Sequence, residues 1–130
     1  MKQFFYALVL SLVAIAGPAF AGEPVKEVTV EQVQQFVQEK AANVAIVDAN
    51  NDDARKGAGV VPGAILLTSY NQYAMTELPA DKATKLVFYC YNSYCQASHA
   101  AAQRAYNAGY KDVAVMKAGI AGWNKANAKT

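Results

Sequence analysis

The sequence predicts an α/β fold, with a central, mostly parallel sheet and helices on both of its faces, and three observations carry that prediction. Short apolar runs without polar alternation recur at "VAIVDAN", "KLVFYC" and "KDVAVMKAG", and such runs fit strands covered on both faces. Segments of helical periodicity lie between them. Gly and Pro punctuate the junctions, and right-handed crossovers between parallel strands send the helices to either side.

Each element follows from its residues. "TVEQVQQFVQEKAAN" opens on Thr29 with Gln32 three residues on, a capping-box arrangement. Val30, Val33, Phe36 and Val37 share one face, so this is an amphipathic helix. "VAIVDAN" is the first strand and ends in Asp48. "NNDDARKGAGVVPGA" is polar and glycine-rich, a loop with one helical turn expected at Asp52 to Lys56. "AILLTS" gives the second strand. Past a polar, tyrosine-containing segment, "ELPADKATK" is a linker broken by Pro79, and "KLVFYC" is the third strand. "ASHAAAQRAYNAGY" is a helix starting near Ala97 or Ser98, with Gly109 placed to end it. "KDVAVMKAG" is the fourth strand, and "GIAGWNKANAK" a final short helix carrying Trp123.

Residues 1–21, "MKQFFYALVLSLVAIAGPAFA", stand apart from that fold. One early cation, Lys2, precedes an apolar run from Phe4 to Ala16, and Ala19-Phe20-Ala21 supplies the small-x-small pattern that a signal peptidase reads. The apolar stretch falls short of the roughly 20 residues that span a bilayer. The expectation is a signal peptide, a mature start at Gly22, and an exported protein, periplasmic or secreted, with no membrane association after cleavage. Residues 22–130 are then one domain with a single modest core. The formal charge of +2 falls to +1 once Lys2 is removed, so no electrostatic partner is implied. The absence of a basic stripe argues against nucleic acid.

Both cysteines and the only histidine fall within ten residues, at Cys90, Cys95 and His99. Cys90 sits at the carboxyl end of a predicted central strand, on the edge where open α/β sheets bind ligands. The residues after it lead into a helix, whose first N–H groups and dipole favour an anion. A thiolate there gains acidity and nucleophilicity.

In this order the pieces resemble the rhodanese-like family. "IVDAN" is similar to that family's strand ending in aspartate, and "GVVPGAI" to its Gly-His-Ile-Pro-Gly-Ala segment. "LPADKATKLVFYC" is similar to the approach to its active cysteine, and "AAAQRAYNAGYKDVAVMKAGIAGW" to its helix, strand and closing Gly-x-x-x-Trp. The resemblance runs from Val28 to Trp123. It implies a sulfurtransferase: a strand-end cysteine takes sulfur from a small donor, holds it as a persulfide, and passes it to a thiol or cyanide-like acceptor. By position Cys90 is the nucleophile. Tyr91, Asn92, Ser93, Tyr94 and Cys95 form the active-site loop whose amides would cradle the anionic sulfur. Asp48, Ser98 and His99 support it, with Asp48 expected to brace a loop and His99 to sit in the first helical turn.

Departures from the family pattern shape the expected substrate. A typical loop reads Cys-Arg-x-Gly-x-Arg-Ser, whereas this one reads "CYNSYCQAS", with Tyr91 at the first arginine position and Cys95 near the second. Asn50 stands where an arginine follows the aspartate strand, and Val60 where a histidine precedes the Pro-Gly pair. His99, Arg104 and Arg55 are the remaining candidate cations, so thiosulfate is expected to be a poor donor and a neutral or polysulfide-like donor a better one. A phosphatase loop needs an arginine where Gln96 stands, and lacks its main charge partner without it.

Cys95 leaves three readings open. It is a disulfide partner that staples the loop, a resolving thiol used in turnover, or a metal ligand with Cys90 and His99. A closed zinc site needs a fourth ligand, which only a carboxylate such as Asp48 could supply. No metal and no cofactor are therefore expected. Sulfur carried on Cys90 is the first reading. A catalytically inactive redox or binding module with a Cys90–Cys95 disulfide is the alternative. No protein partner is identified.

Overall fold

A computed structural model describes residues 24–128. Its elements run β1 (Val25–Val28), α1 (Val30–Gln38), β2 (Val44–Asp48), α2 (Asp52–Ala58), β3 (Ile65–Leu66), a 3-10 turn (Met75–Glu77), β4 (Lys85–Tyr89), α3 (Ala97–Asn107), β5 (Val113–Met116) and α4 (Gly119–Asn127). The five strands order as β1-β5-β4-β2-β3, and every neighbouring pair is parallel. The architecture is the expected α/β one. The export segment expected at residues 1–21 lies outside the described residues. Among the described residues no helix is long and apolar enough to cross a membrane.

Strand β4 is the middle of the sheet, and its side chains alternate between two cores. Leu86 and Phe88 join Val113 and Val115 of β5 beneath α3, where Ala101, Ala102 and Ala105 let the helix pack closely. Val87 and Tyr89 point the other way, with Ala114 and Met116, against Val30 and Val33 of α1 and Ile120 and Trp123 of α4. Period-two alternation thus feeds two apolar layers, which is why the runs look unbroken in sequence. Thr29 caps α1 as expected: the Gln32 N–H donates to Thr29 Oγ1 at 3.1 Å, and the Thr29 N–H donates to Gln32 Oε1 at 2.8 Å.

Three boundaries differ from the sequence reading. The first strand of the sheet, β1, was not anticipated. "VKEV" is four residues at the sheet edge, and its order comes from pairing with β5 across the whole domain. The helical turn expected at Asp52 extends through Gly57 to Ala58, because the Asn51 side chain caps it by accepting from the Ala54 N–H at 2.9 Å. The "AILLTS" strand shrinks to Ile65–Leu66, paired only with β2 at the opposite edge.

Candidate active site around Cys90 and Cys95

Cys90 follows the last residue of β4, so the central strand delivers its sulfur to the carboxyl edge of the sheet. The turn beyond it is fastened from below by α4. The Ile120 N–H donates to the Cys90 carbonyl at 2.9 Å, and the Ala121 N–H donates to the Tyr91 carbonyl at 2.9 Å. These are first-turn amides of α4, which lacks a side-chain cap, so the loop backbone satisfies groups that the helix itself leaves open. Gly119 makes the approach feasible. Its φ is +66°, and a Cβ there would lie 2.6 Å from the Tyr91 carbonyl carbon and oxygen. Gly119→Ala is expected to cost about 1–3 kcal/mol in folding free energy, from left-handed strain plus displacement of the loop. A urea unfolding midpoint equal to wild type would refute that account.

The two sulfurs occupy unlike surroundings. Cys90 is 1% exposed. Its thiol lies 3.3 Å from the Cys95 carbonyl oxygen as a donor and 3.2 Å from Ser98 Oγ. Burial, followed by its hydrogen bond to the Cys95 sulfur, pushes the Cys90 thiol up, against the opposing effect of the Ser98 hydroxyl and N–H. Cys95 is half-buried, and burial by itself would also raise it. The Cys90 S–H and the backbone N–H groups of Tyr91, Ala97 and Ser98 outweigh burial and hold the Cys95 thiol below its ordinary value. Neither cysteine is in a disulfide. The Ser98 N–H lowers both thiols, while the N–H groups of Tyr91 and Ala97 act on Cys95.

This arrangement has a local cause. Helix α3 begins at Ala97 with Gln96 as its N-cap, and Gln96 provides no side-chain hydrogen bond. Cys95 stands two residues before the helix, where the Ala97 and Ser98 N–H groups lower its thiol. Its distance from the helix start was the available sequence signal. The loop between the cysteines is a tight turn: the Cys95 N–H donates to the Asn92 carbonyl at 3.1 Å, and the Tyr94 N–H to Asn92 Oδ1 at 3.1 Å. Those two amides are thus used within the turn. Ser93 and Tyr91 are exposed, and Tyr94 is 87% exposed.

Of the supporting residues, Ser98 joins the sulfurs, while Asp48 lies in a separate buried network. Asp48 accepts from the Tyr89 hydroxyl, from the Asn50 N–H at 2.7 Å and from Arg55 Nε at 3.3 Å. Tyr89 in turn accepts from the Val61 N–H at 3.0 Å. Burial, then the bond to Asp48, pushes the Tyr89 phenol far up. Arg55 also donates to the carbonyls of Asp48 and Leu67. The guanidinium of Arg104 is likewise taken, by the Tyr73 carbonyl at 2.7 Å and 3.1 Å. Both arginines are therefore braces between elements. His99 is on the first turn of α3, and its Nδ1 is buried without a hydrogen-bond partner among the described residues. The cysteines, His99 and Asp48 do not gather into a group of three or more metal-binding side chains there.

The sequence matches the family model of the rhodanese-like domain over residues 29–126. Several solved structures share the fold. The BH2092 protein of Bacillus halodurans superposes with a TM-score of 0.68 at 21% identity, over 78% of this chain and 73% of that one. A rhodanese-like domain from Anabaena sp. gives 0.64 at 16% identity, over 81% and 76%. A thiosulfate sulfurtransferase from Pseudomonas aeruginosa gives 0.62 at 23% identity, over 79% of this chain and 19% of that longer one.

Proposed function

Because the chain belongs to the rhodanese-like domain family, we propose that it is an exported sulfur-handling module that carries sulfane sulfur as a persulfide on Cys90 and hands it to a thiol or cyanide-like acceptor. One observation carries this reading. The Cys90 sulfur follows the end of the central strand β4 and lies against the first turn of α3, 3.2 Å from Ser98 Oγ and 3.3 Å from the Cys95 carbonyl oxygen. A persulfide ends in an anionic sulfur one bond beyond Sγ, and fixed amide donors stabilise such an anion without a metal.

The Cys90 thiol donates toward the Cys95 carbonyl at 3.3 Å, and once its proton is lost to solvent the Ser98 hydroxyl, 3.2 Å away, donates to the nucleophilic thiolate. Attack on the sulfane sulfur of a polysulfide breaks its S–S bond. The donor departs as the shortened polysulfide or sulfide anion, and an acceptor thiolate later removes the outer sulfur. Arg55 and Arg104 are occupied elsewhere, which favours a polysulfide-like donor over thiosulfate. Export rests on the leader at residues 1–21.

The test is the intact mass of freshly isolated protein. The expected chain starts at Gly22 and carries one added sulfur that cyanide or dithiothreitol removes. A loss of two hydrogens with no added sulfur would replace this reading with a disulfide module, and retention of Met1 would remove the export claim.

A further inference from the structure

We propose that the same cysteine pair also performs thiol–disulfide exchange, with Cys95 as the attacking thiol and Cys90 as the resolving one. This activity goes beyond sulfur carrying and does not depend on it. It assigns the two sulfurs the opposite order of action.

The geometry divides the labour. Cys95 is the partly exposed sulfur, set two residues before α3, where the N–H groups of Tyr91, Ala97 and Ser98 lower its thiol. Cys90 is 1% exposed and lies behind it, donating its S–H toward the Cys95 carbonyl at 3.3 Å. An incoming disulfide therefore meets Cys95 first. Held below the ordinary thiol value, Cys95 is the more acidic as well as the more accessible of the two sulfurs. Cys90, pushed up by burial, remains protonated until the first exchange has occurred. The rim is uncharged: Tyr91, Asn92, Ser93 and Tyr94 separate the cysteines in sequence, and both tyrosines are exposed. Such a rim accepts a small or peptide disulfide without requiring a charged group on it.

The steps balance. The Cys95 thiolate attacks one sulfur of a disulfide R–S–S–R, forming a mixed disulfide and expelling one thiolate, which takes up a proton. Cys90 then gives up its proton, and its thiolate attacks Cys95 Sγ. The second R-thiolate leaves and is protonated, and a Cys90–Cys95 disulfide remains. The protein loses two electrons and the substrate disulfide gains them. A dithiol reductant returns the protein to its starting state.

Reduced protein is incubated with glutathione disulfide near neutral pH and followed by intact mass. Wild type is expected to lose two hydrogens and release two glutathione thiols. Cys90→Ser is expected to hold one glutathionyl group on Cys95. Cys95→Ser should gain glutathione more slowly than Cys90→Ser, since its one remaining thiol is 1% exposed. A glutathionyl group gained as fast by Cys95→Ser as by Cys90→Ser would overturn the proposal, as would a Cys90→Ser protein that gains none. Limiting iodoacetamide on wild type, read by peptide mapping, avoids any folding defect of the variants. Cys95 should be labelled first, and labelling of Cys90 first would reverse the assignment. Cyanide-labile sulfur on the protein reports the carrying reading separately, so either activity can fail while the other stands.

Discussion

Asp48→Ala is expected to lower the unfolding free energy by about 3–5 kcal/mol, the usual cost of removing one partner from a buried ion pair. Asp48 is fully buried, and the Arg55 side chain facing it is 11% exposed. Without the carboxylate, Arg55 retains its carbonyl partners on Asp48 and Leu67 but loses its charge partner, apart from the exposed Asp52 at 3.1 Å. The Tyr89 hydroxyl and the Asn50 N–H lose their acceptor in the same stroke. The measurement is equilibrium urea unfolding with the slope held comparable. A loss under about 1 kcal/mol would mean that water enters and replaces the carboxylate, and that the network does not brace the sheet edge.

Cys90→Ser should reduce sulfur transfer from a polysulfide donor to cyanide to the uncatalysed rate, because the hydroxyl cannot form the persulfide. Cys95→Ser is expected to lose less than Cys90→Ser, because it leaves the Cys90 nucleophile and its Ser98 partner in place. Thiocyanate formation under reducing preincubation reads both. Equal loss in the two variants would point to a transfer in which sulfur visits both cysteines. The two predictions address different parts of the sheet edge, since Asp48 and its partners hold the scaffold and the cysteines hold the sulfur.

Much of this was readable from residues. The runs at Val44, Lys85 and Val113 became strands because an unbroken apolar sequence fits only a sheet covered on both sides. The capping box at Thr29 fixed the start of α1, and Cys90 fell where the strand-end argument put it. The failures share a cause. β1 depends on a partner strand far along the chain, and nothing in "VKEV" announces that partner. The direction of an amide depends on turn geometry: Asn92 closes its turn with its carbonyl and side chain, and so removes Cys95 and Tyr94 N–H groups from the sulfur cradle. Arg55 and Arg104 looked available because a sequence does not reveal which carbonyls a guanidinium will find. Gly119 was visible in the Gly-x-x-x-Trp pattern, but its contact with Tyr91 needed coordinates.

The fastening of Cys90 and Tyr91 by α4, together with the anchoring of Cys95 by α3, leaves only the tip of the connecting segment unclaimed by either helix. Asn92 shapes the bend, while Ser93 and Tyr94 face outward. Variation that alters which molecules are admitted therefore has room at those two outward positions, and little at the ends, where the backbone is bolted to the scaffold. A catalyst engineer seeking new donors would diversify the tip and leave both footings alone.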